Sequence, residues 1–186
     1  GDPFGLRNPD KLVWKVESGV LQQVKLSLQF ASLASLASGP PLSENEMSCR
    51  DRTFAALAKK LINLAPLANQ TIAPDDSVLG AGAVIAPTYG ALIQRAFRPA
   101  YWSATSVVNL AAADALKFKD MDLELSRHSR NLGRNGARDQ VNQIEANFAL
   151  FFGVALQLYQ ATLVADDTPY DRYAEGQTSA LNAQQL

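Results

Sequence analysis

The chain has 186 residues, of which 47% are hydrophobic and 19% are charged, and its formal net charge is −1. This length suits one ordinary domain with a sizeable core, and this composition argues against intrinsic disorder. Because the net charge is close to zero, the chain offers no broad attraction for nucleic acid or for anionic lipid. No apolar run approaches the roughly 20 residues of a membrane helix, so neither a nucleic-acid partner nor a membrane span is expected.

The scarcity of metal-binding and nucleophilic side chains narrows the chemistry further. Cys49 is the only cysteine and His128 is the only histidine. A closed zinc site, a cysteine–histidine nucleophile pair and an internal disulfide are therefore excluded within this chain. The GxGxxG, GxxxxGK, HExxH, GxSxG and CxxCH motifs are all absent. Cys49 is expected to be a buried or half-buried free thiol, although pairing with a cysteine of another segment stays open if the protein is exported.

Both ends of the chain look cut. It begins with Gly1-Asp2-Pro3, without an initiator Met or a signal peptide, and it stops at Leu186 within what reads as a starting helix. We therefore expect a segment of a longer protein.

The spacing of apolar residues in the first third of the chain predicts two helices. The first runs from about Ser18, a candidate N-cap, and the Gly39-Pro40-Pro41 sequence must end it. Its apolar stripe consists of Val20, Leu21, Val24, Leu28 and Ala31. The second helix is capped by Asp51 or Thr53 and is closed by Pro66.

A third helix follows a loop over residues 67–86. Pro87 suits its first position, and it ends near Pro99. Tyr101 and Trp102 come next and are expected to anchor the core. Residues 106–125 are mixed in composition and are predicted as helix.

The strongest helical pattern begins near Ala137, and we expect this helix to be central to the core because its apolar face is wide. The face consists of Val141, Ile144, Phe148, Phe151, Phe152, Ala155, Leu156, Tyr159 and Leu163. A capped turn follows at residues 166–169, and Ser179 begins a last helix. Since no stretch shows sustained strand alternation, the predicted fold class is all-α, an irregular helical segment.

An arginine-rich stretch keeps two interpretations open. Arg127, Arg130, Arg134 and Arg138 are either solvated and neutralised by nearby carboxylates, or they pair with the carboxylates of a cofactor or of a redox partner. His128 lies among them. It is either a solvated loop histidine or a ligand of a metal supplied by another segment.

Two carboxylates lie beside the prolyl turn. Glu44 and Glu46 follow Gly39-Pro40-Pro41, which is preceded by small residues that let a flat cofactor or another backbone approach closely. A carboxylate facing an apolar cavity at this place could act as an acid or a base. Taken from the residues alone, an exposed surface turn is the favoured interpretation.

Three stretches, in this order, resemble the di-haem bacterial cytochrome c peroxidases and their MauG-like and rubber-oxygenase-like relatives. The first is GPPLSENEM at residues 39–47, which is similar to the family's Gly-Pro turn leading to a Glu-Met pair. The second is YGALIQRAF at residues 89–97, which is similar to its aromatic-plus-Leu helix. The third and most specific runs from ALQLYQATLV at residues 155–164 through TPYDRY to ALNAQQL at residues 180–186.

The resemblance implies that residues 1–186 form the haem-free helical segment between two haem attachment motifs, with an insertion over residues 103–142. It implies an oxidoreductase that reduces peroxide or performs a related oxidation, in which this chain alone is no enzyme. Haem c would be attached to flanking segments or partner chains. The implied partners are those haem-bearing segments and an electron-donor cytochrome or cupredoxin, and the implied location is periplasmic or extracellular.

Carried over residue by residue, Glu46 matches the distal-pocket glutamate that serves as the acid–base group at the peroxidatic haem. Pro40 matches the proline of the same loop, and Met47 would be a packing neighbour in the pocket. Peroxidases of this type place a glutamine where this chain has Leu36. No residue of the chain is predicted to ligate a metal.

Two rival interpretations stay open. In the first, the helices only insulate and space haems carried by partner chains, as an electron-transfer or structural subunit without turnover, which the loss of the glutamine favours. In the second, the chain is a self-standing helical binding domain. Apolar faces such as that of Phe148 and Phe151 would then be poorly covered, so this interpretation is the least favoured.

Overall fold

The computed structural model describes residues 12–49, 52–68, 70–76, 88–106, 108–109 and 140–186. These residues form a mixed α/β structure, so the predicted all-α fold class is wrong. The elements in chain order are β1 (Leu12–Glu17), β2 (Val20–Lys25), α1 (Ser32–Ser38), a first 3₁₀ helix (Pro40–Leu42), α2 (Phe54–Leu61), α3 (Tyr89–Ala96), a second 3₁₀ helix (Pro99–Tyr101), β3 (Val108–Asn109), β4 (Gln140–Val141), α4 (Gln143–Ala146), α5 (Phe148–Gln160) and α6 (Pro169–Ala174).

A β-hairpin replaces most of the first predicted helix. β1 and β2 pair antiparallel, in a register that places Leu12 opposite Lys25. Ser18 and Gly19 form the two-residue connection, and both have positive φ angles, of 51° and 79°. Two-residue connections of this kind match the twist of the paired strands, and the β-branched residues of LVWKVE and VLQQVK favour strands. The helical stripe predicted from Val20 onwards is therefore wrong.

Only the end of that predicted helix is helical. α1 ends at Ser38, directly before Gly39-Pro40-Pro41, as the prolines predict. Ala34 and Ser38 lie one turn apart and are buried, and α1 packs mainly against α5. Because both residues are small, the two helices can approach each other closely.

The main core lies between α2, α3, α4 and α5 and is rich in phenylalanine. Its buried members are Phe54, Ala58, Ile62, Ile93, Ile144, Phe148, Ala149 and Phe151. The ring centroids of Phe97 and Phe151 lie 4.7 Å apart, and those of Phe54 and Phe152 lie 5.6 Å apart. The rings are tilted, which is an arrangement that aromatic pairs prefer.

The predicted starts of α2 and α3 are partly confirmed. Thr53 caps α2, since its hydroxyl accepts an amide hydrogen bond of 3.1 Å. Thr88 caps α3 in the same way, so Tyr89 takes the first helical position that was predicted for Pro87, a residue outside the described part of the chain. Tyr101 and Trp102 pack half-buried against the main core, in the role predicted for them.

Two buried side-chain amides connect the hairpin to the core. Gln143 in α4 and Asn147, four residues later, are 0% and 2% exposed. Asn147 Nδ2 donates to the carbonyl oxygens of Trp14 and Tyr101, both at 2.7 Å, and its Oδ1 accepts from the Trp14 backbone amide at 2.9 Å. One side chain therefore holds both β1 and the second 3₁₀ helix.

Gln143 makes a similar set of bonds to the neighbouring backbone. Its Nε2 donates to the carbonyl oxygens of Trp14 at 2.9 Å and Ala100 at 2.7 Å, and its Oε1 accepts from the Ala104 amide at 2.8 Å. Both buried amides thus donate and accept, which satisfies the requirement that buried polar groups be hydrogen-bonded. Gln143 lies 129 residues from Trp14 along the chain, so the network joins distant segments.

The two ends of the stretch predicted as an insertion, residues 103–142, lie side by side. β3 and β4 pair antiparallel, and Val108 lies opposite Val141, with both side chains buried. An inserted segment must leave and return at neighbouring places, so this geometry is compatible with the insertion, which stays a prediction. Residues 110–139 lie outside the described part, and the helix predicted over residues 106–125 is wrong where β3 replaces it.

The strongest predicted helix is interrupted. Instead of one helix from about Ala137, the chain forms β4, the single turn of α4 and the 13-residue α5. Phe151 is fully buried, as predicted, but Tyr159 near the end of α5 is exposed, because only the first half of the helix lies in the core. The chain from Ser179 to its end forms turns and not the last predicted helix.

α3 begins directly against the end of α2. The Gly90 amide donates to the carbonyl oxygen of Ile62 at 2.8 Å, and the Tyr89 amide donates to that of Leu64 at 3.0 Å. A Cβ atom at Gly90 would lie 3.1 Å from the same Ile62 oxygen and 3.2 Å from Ile62 Cγ1. Glycine therefore permits this close approach.

We predict that Gln143→Ala and Asn147→Ala each lower the free energy of unfolding by about 2–4 kcal/mol. Each substitution leaves buried backbone groups without partners, and such a group costs about 1–3 kcal/mol. Urea denaturation followed by circular dichroism measures the change. Gln140→Ala, at an exposed glutamine of β4, is the control and should stay within about 0.5 kcal/mol of wild type. Equal losses in all three variants would contradict the role assigned to the two amides.

We also predict that Gly90→Ala destabilises the fold by about 1 kcal/mol or more, although alanine is the better helix former. Crowding of a packed site costs about 1–3 kcal/mol and outweighs the gain of up to about 1 kcal/mol in helix propensity. Thermal unfolding checks this prediction. Gln94→Ala on the exposed side of the same helix should leave the melting temperature unchanged or slightly raised, and a stabilised Gly90→Ala would refute the predicted clash.

Candidate functional site

The turn between α1 and α2 carries most of the predicted site residues. Residues 39–48, which we call the Glu46 turn, fold back on themselves. Their backbone hydrogen bonds run from the amides of Leu42, Ser43, Glu46 and Ser48 to the carbonyl oxygens of Gly39, Pro40, Ser43 and Ser43, at 2.9–3.3 Å. Leu42 packs against the main core, which attaches the turn to the body of the fold.

The predicted site residues lie mostly at the surface. Leu36 on α1 is 66% exposed and Met47 is 74% exposed, whereas Pro40 is half-buried. Glu46 is also exposed, and within the described residues no basic side chain forms an ion pair with its carboxylate. The α1 surface and the following turn therefore present two large apolar side chains and one unpaired carboxylate.

One buried polar atom of the Glu46 turn lacks a partner. Ser48 Oγ is inaccessible to solvent and makes no hydrogen bond. Buried hydroxyl groups are normally hydrogen-bonded, so this atom is an exception. The described residues do not enclose Glu46 in an apolar cavity. A dry environment for its carboxylate would have to come from a covering cofactor or partner.

The remaining sequence candidates are Cys49, His128 and the arginine-rich stretch. Cys49 is exposed, so the expectation of a buried or half-buried thiol is wrong, and Arg52 Nη2 donates to its Sγ at 3.2 Å. His128 and the arginine-rich stretch at residues 127–138 lie outside the described residues.

Phe30 is a surface feature that the sequence did not indicate. It lies just before α1 with a φ angle of 54°, and its side chain is 89% exposed. A left-handed backbone costs a phenylalanine roughly 1 kcal/mol or more, and an exposed ring regains none of this cost by burial. The first predicted helix included Phe30, so nothing in the sequence indicated its left-handed backbone or its exposed side chain.

A second exposed surface lies at the carboxyl end of the described chain. Residues 161–186, which we call the arm, contain no buried residue. The large exposed apolar side chains of the arm and of the end of α5 are Leu158, Tyr159, Leu163, Val164, Tyr170 and Leu186. Sequence periodicity had assigned Tyr159 and Leu163 to the core.

The arm nevertheless has a defined local structure. Thr168 caps α6, as the predicted capped turn requires, and its hydroxyl accepts from the Asp171 amide at 3.2 Å. The Asp171 carboxylate accepts in return from the Thr168 amide at 2.9 Å and from its hydroxyl at 2.7 Å. These hydrogen bonds from Thr168 hold the pKa of Asp171 below its usual range.

Two further kinds of site are absent from the described part of the chain. No helix there is long and apolar enough to cross a membrane. Over the same residues, no group of three or more histidine, cysteine, aspartate and glutamate side chains is arranged to hold a metal ion.

Comparison of the chain with family models, with curated proteins and with solved structures finds no match. The likeness to the di-haem peroxidases therefore rests on the three quoted stretches alone.

We predict that the amino-terminal cap of α6 is weakened on acidification. The pKa of Asp171 is lowered in the folded chain, so the stabilisation that its carboxylate provides is present above the unfolded-state pKa, about 4, and is lost as the pH falls through the folded-state value. Backbone NMR shifts of residues 168–175 between pH 7 and pH 2 measure this loss. Asp171→Asn should remove the pH dependence, whereas Asp166→Asn should keep it. An unchanged titration in Asp171→Asn would contradict the assignment.

Proposed function

We propose that this chain is a segment of a di-haem c-type cytochrome of the peroxidase type, in which the Glu46 turn lines the distal side of a haem carried by a flanking segment or partner chain. The proposal rests on the ordered resemblance together with one structural observation. Leu36 and Met47, which belong to the implied pocket, are large apolar side chains left exposed near Glu46 in the chain. Large apolar side chains at the surface are available for contact with a covering ligand.

The residues present fit such a group. Apolar side chains at Leu36 and Met47 suit contact with a flat, largely apolar ring system, and Pro40 keeps the turn rigid beside it. A bound haem would supply the redox chemistry for peroxide reduction.

Glu46 is the proposed acid–base residue. During cleavage of the O–O bond a proton must move from one oxygen of the peroxide to the other, and a positioned carboxylate can accept it and return it. The backbone hydrogen bond from Glu46 to Ser43 fixes the place of this residue in the turn, while its side chain is exposed to an approaching substrate. Water would be excluded only when the haem-bearing partner covers the turn.

Leu36 favours an alternative function without turnover. An aliphatic side chain cannot donate a hydrogen bond to a peroxide, and Leu36 stands where the peroxidases carry a glutamine. In this alternative the chain belongs to an electron-transfer or structural subunit of a multihaem assembly. The optical spectrum distinguishes the two functions, since a haem with two protein axial ligands and no reaction with peroxide would select the alternative.

The proposed setting of the protein is periplasmic or extracellular, where c-type cytochromes with covalently attached haem act. Its partners would be the haem-bearing segments and an electron-donor cytochrome or cupredoxin. Intact mass and a haem stain of the native complex would show whether this chain travels with CxxCH-bearing polypeptide.

We predict that Glu46→Gln, made in the haem-containing assembly, lowers peroxide turnover by at least about 100-fold, because general acid–base catalysis contributes about 10²- to 10⁴-fold. Stopped-flow oxidation of reduced donor by hydrogen peroxide measures the rate. Glu44→Gln makes the same charge change two residues away and is expected to stay within about twofold of wild type. Unchanged turnover in Glu46→Gln, with haem content intact, would remove the assigned role.

A further inference from the structure

The backbone register of the hairpin shows which way the groups of each strand point. Trp14 is the Cα partner of Gln23. On the outer side of β1, the Trp14 amide donates to Asn147, and the Trp14 carbonyl oxygen accepts from Asn147 and Gln143. In an antiparallel pair, a residue whose backbone groups point away from the neighbouring strand stands opposite one that also points away. The amide and carbonyl of Gln23 are therefore directed away from β1, at the outer edge of β2.

The outer edge of β2 is open in the described part of the chain. Because successive residues of a strand alternate in direction, Leu21, Gln23 and Lys25 all present their backbone amides and carbonyls on this edge. Among the described residues, none of these groups is hydrogen-bonded to another backbone or side-chain group. A row of this kind is a template for pairing with another extended strand.

The sequence of β2 lacks the features that usually prevent such pairing. Proteins commonly protect a free edge with a proline, a bulge or a charged residue within the strand. VLQQVK contains no proline, and its register with β1 is continuous, without a bulge. Its one charged residue, Lys25, is the last of the strand. The middle of the edge is therefore able to accept a strand.

We propose that β2 pairs antiparallel with β2 of a second copy of this chain, about a two-fold axis at Gln23. Gln23 is the middle one of the three outward residues, so this register pairs all of them at once. Gln23 stands opposite its own copy, and Leu21 stands opposite Lys25. Each of these pairs exchanges two backbone hydrogen bonds. No like charges are opposed, since each Lys25 meets an apolar side chain.

Self-pairing also explains why a second copy fits this edge. The joined sheet has the strand order β1-β2-β2-β1, and its two outer edges are those of β1, which the side chains of Asn147 and Gln143 already bond at Trp14. Because the contact uses the same strand of both copies, it closes as a dimer and does not continue as a fibre. The inference goes beyond the proposed function and is independent of it, since the hairpin shares no residue with the Glu46 turn.

A disulfide test reads the register directly. In a Cys49→Ser background of the full 186-residue chain, Gln23→Cys places two thiols in one hydrogen-bonded pair. The Cα atoms of such a pair are about 5.5 Å apart, which a disulfide can bridge. Mild oxidation should therefore give a linked dimer. Val20→Cys, at an exposed residue of the same strand, is the matched control, because its two copies would lie six residues, about 20 Å, apart. Absence of linkage at residue 23, or equally fast linkage at residue 20, would overturn the inference.

A proline substitution tests the hydrogen bonds of the edge. Sedimentation equilibrium of the wild-type chain should show a dimer. Gln23→Pro should weaken it at least about tenfold, because it removes one outward amide per copy and spares the bonds between β1 and β2. Gln23→Ala keeps this amide and should stay dimeric. A monomeric wild-type chain, or a folded Gln23→Pro chain that associates as well as wild type, contradicts the pairing. If circular dichroism shows that the proline variant is unfolded, the cysteine variants decide, because they change no backbone group.

Discussion

The described fold depends on two buried amides, Gln143 and Asn147. Their hydrogen bonds attach β1, at Trp14, and the segment around Tyr101 to the start of the core helix α5. An asparagine or glutamine in such a place carries a high cost if any partner is lost, and so it tolerates one arrangement of the surrounding backbone. Burial of apolar area in the phenylalanine core stabilises the fold, but the hydrophobic effect is not directional and does not specify which segments pack together. The amides decide which backbone segments meet there.

This constraint also positions the candidate site. Once β1 is held at Trp14, the hairpin directs the chain through Leu26 and Leu28, which pack on the cluster around Leu150 of α5. α1 follows at once and lies against the same helix through Ala34. The Glu46 turn comes directly after α1. Its location relative to α5 is thus a consequence of hydrogen bonds made more than 100 residues later in the chain.

The core of the fold is well packed, yet two of its surfaces expose large apolar side chains. The Glu46 turn exposes apolar side chains beside a carboxylate, and the arm exposes several more beside a net negative charge. Each exposed Leu or Val forgoes about 1.5–3 kcal/mol that burial would provide, so surfaces of this kind are expected to be covered in the functional state.

The sequence by itself determined the local features: the prolines that end α1, the threonine caps at Thr53 and Thr168, and the phenylalanine-rich stretch that forms the core. The Ser18-Gly19 connection was wrongly predicted as the start of a helix, because the apolar residues after it match a helical stripe as well as a strand, and only pairing with β1 decides between them. Tertiary structure alone decided that Phe151 is buried while Leu163 is exposed, since burial depends on what packs opposite. It also decided the partners of Gln143 and Asn147, because hydrogen bonds between distant segments leave no local pattern in a single sequence.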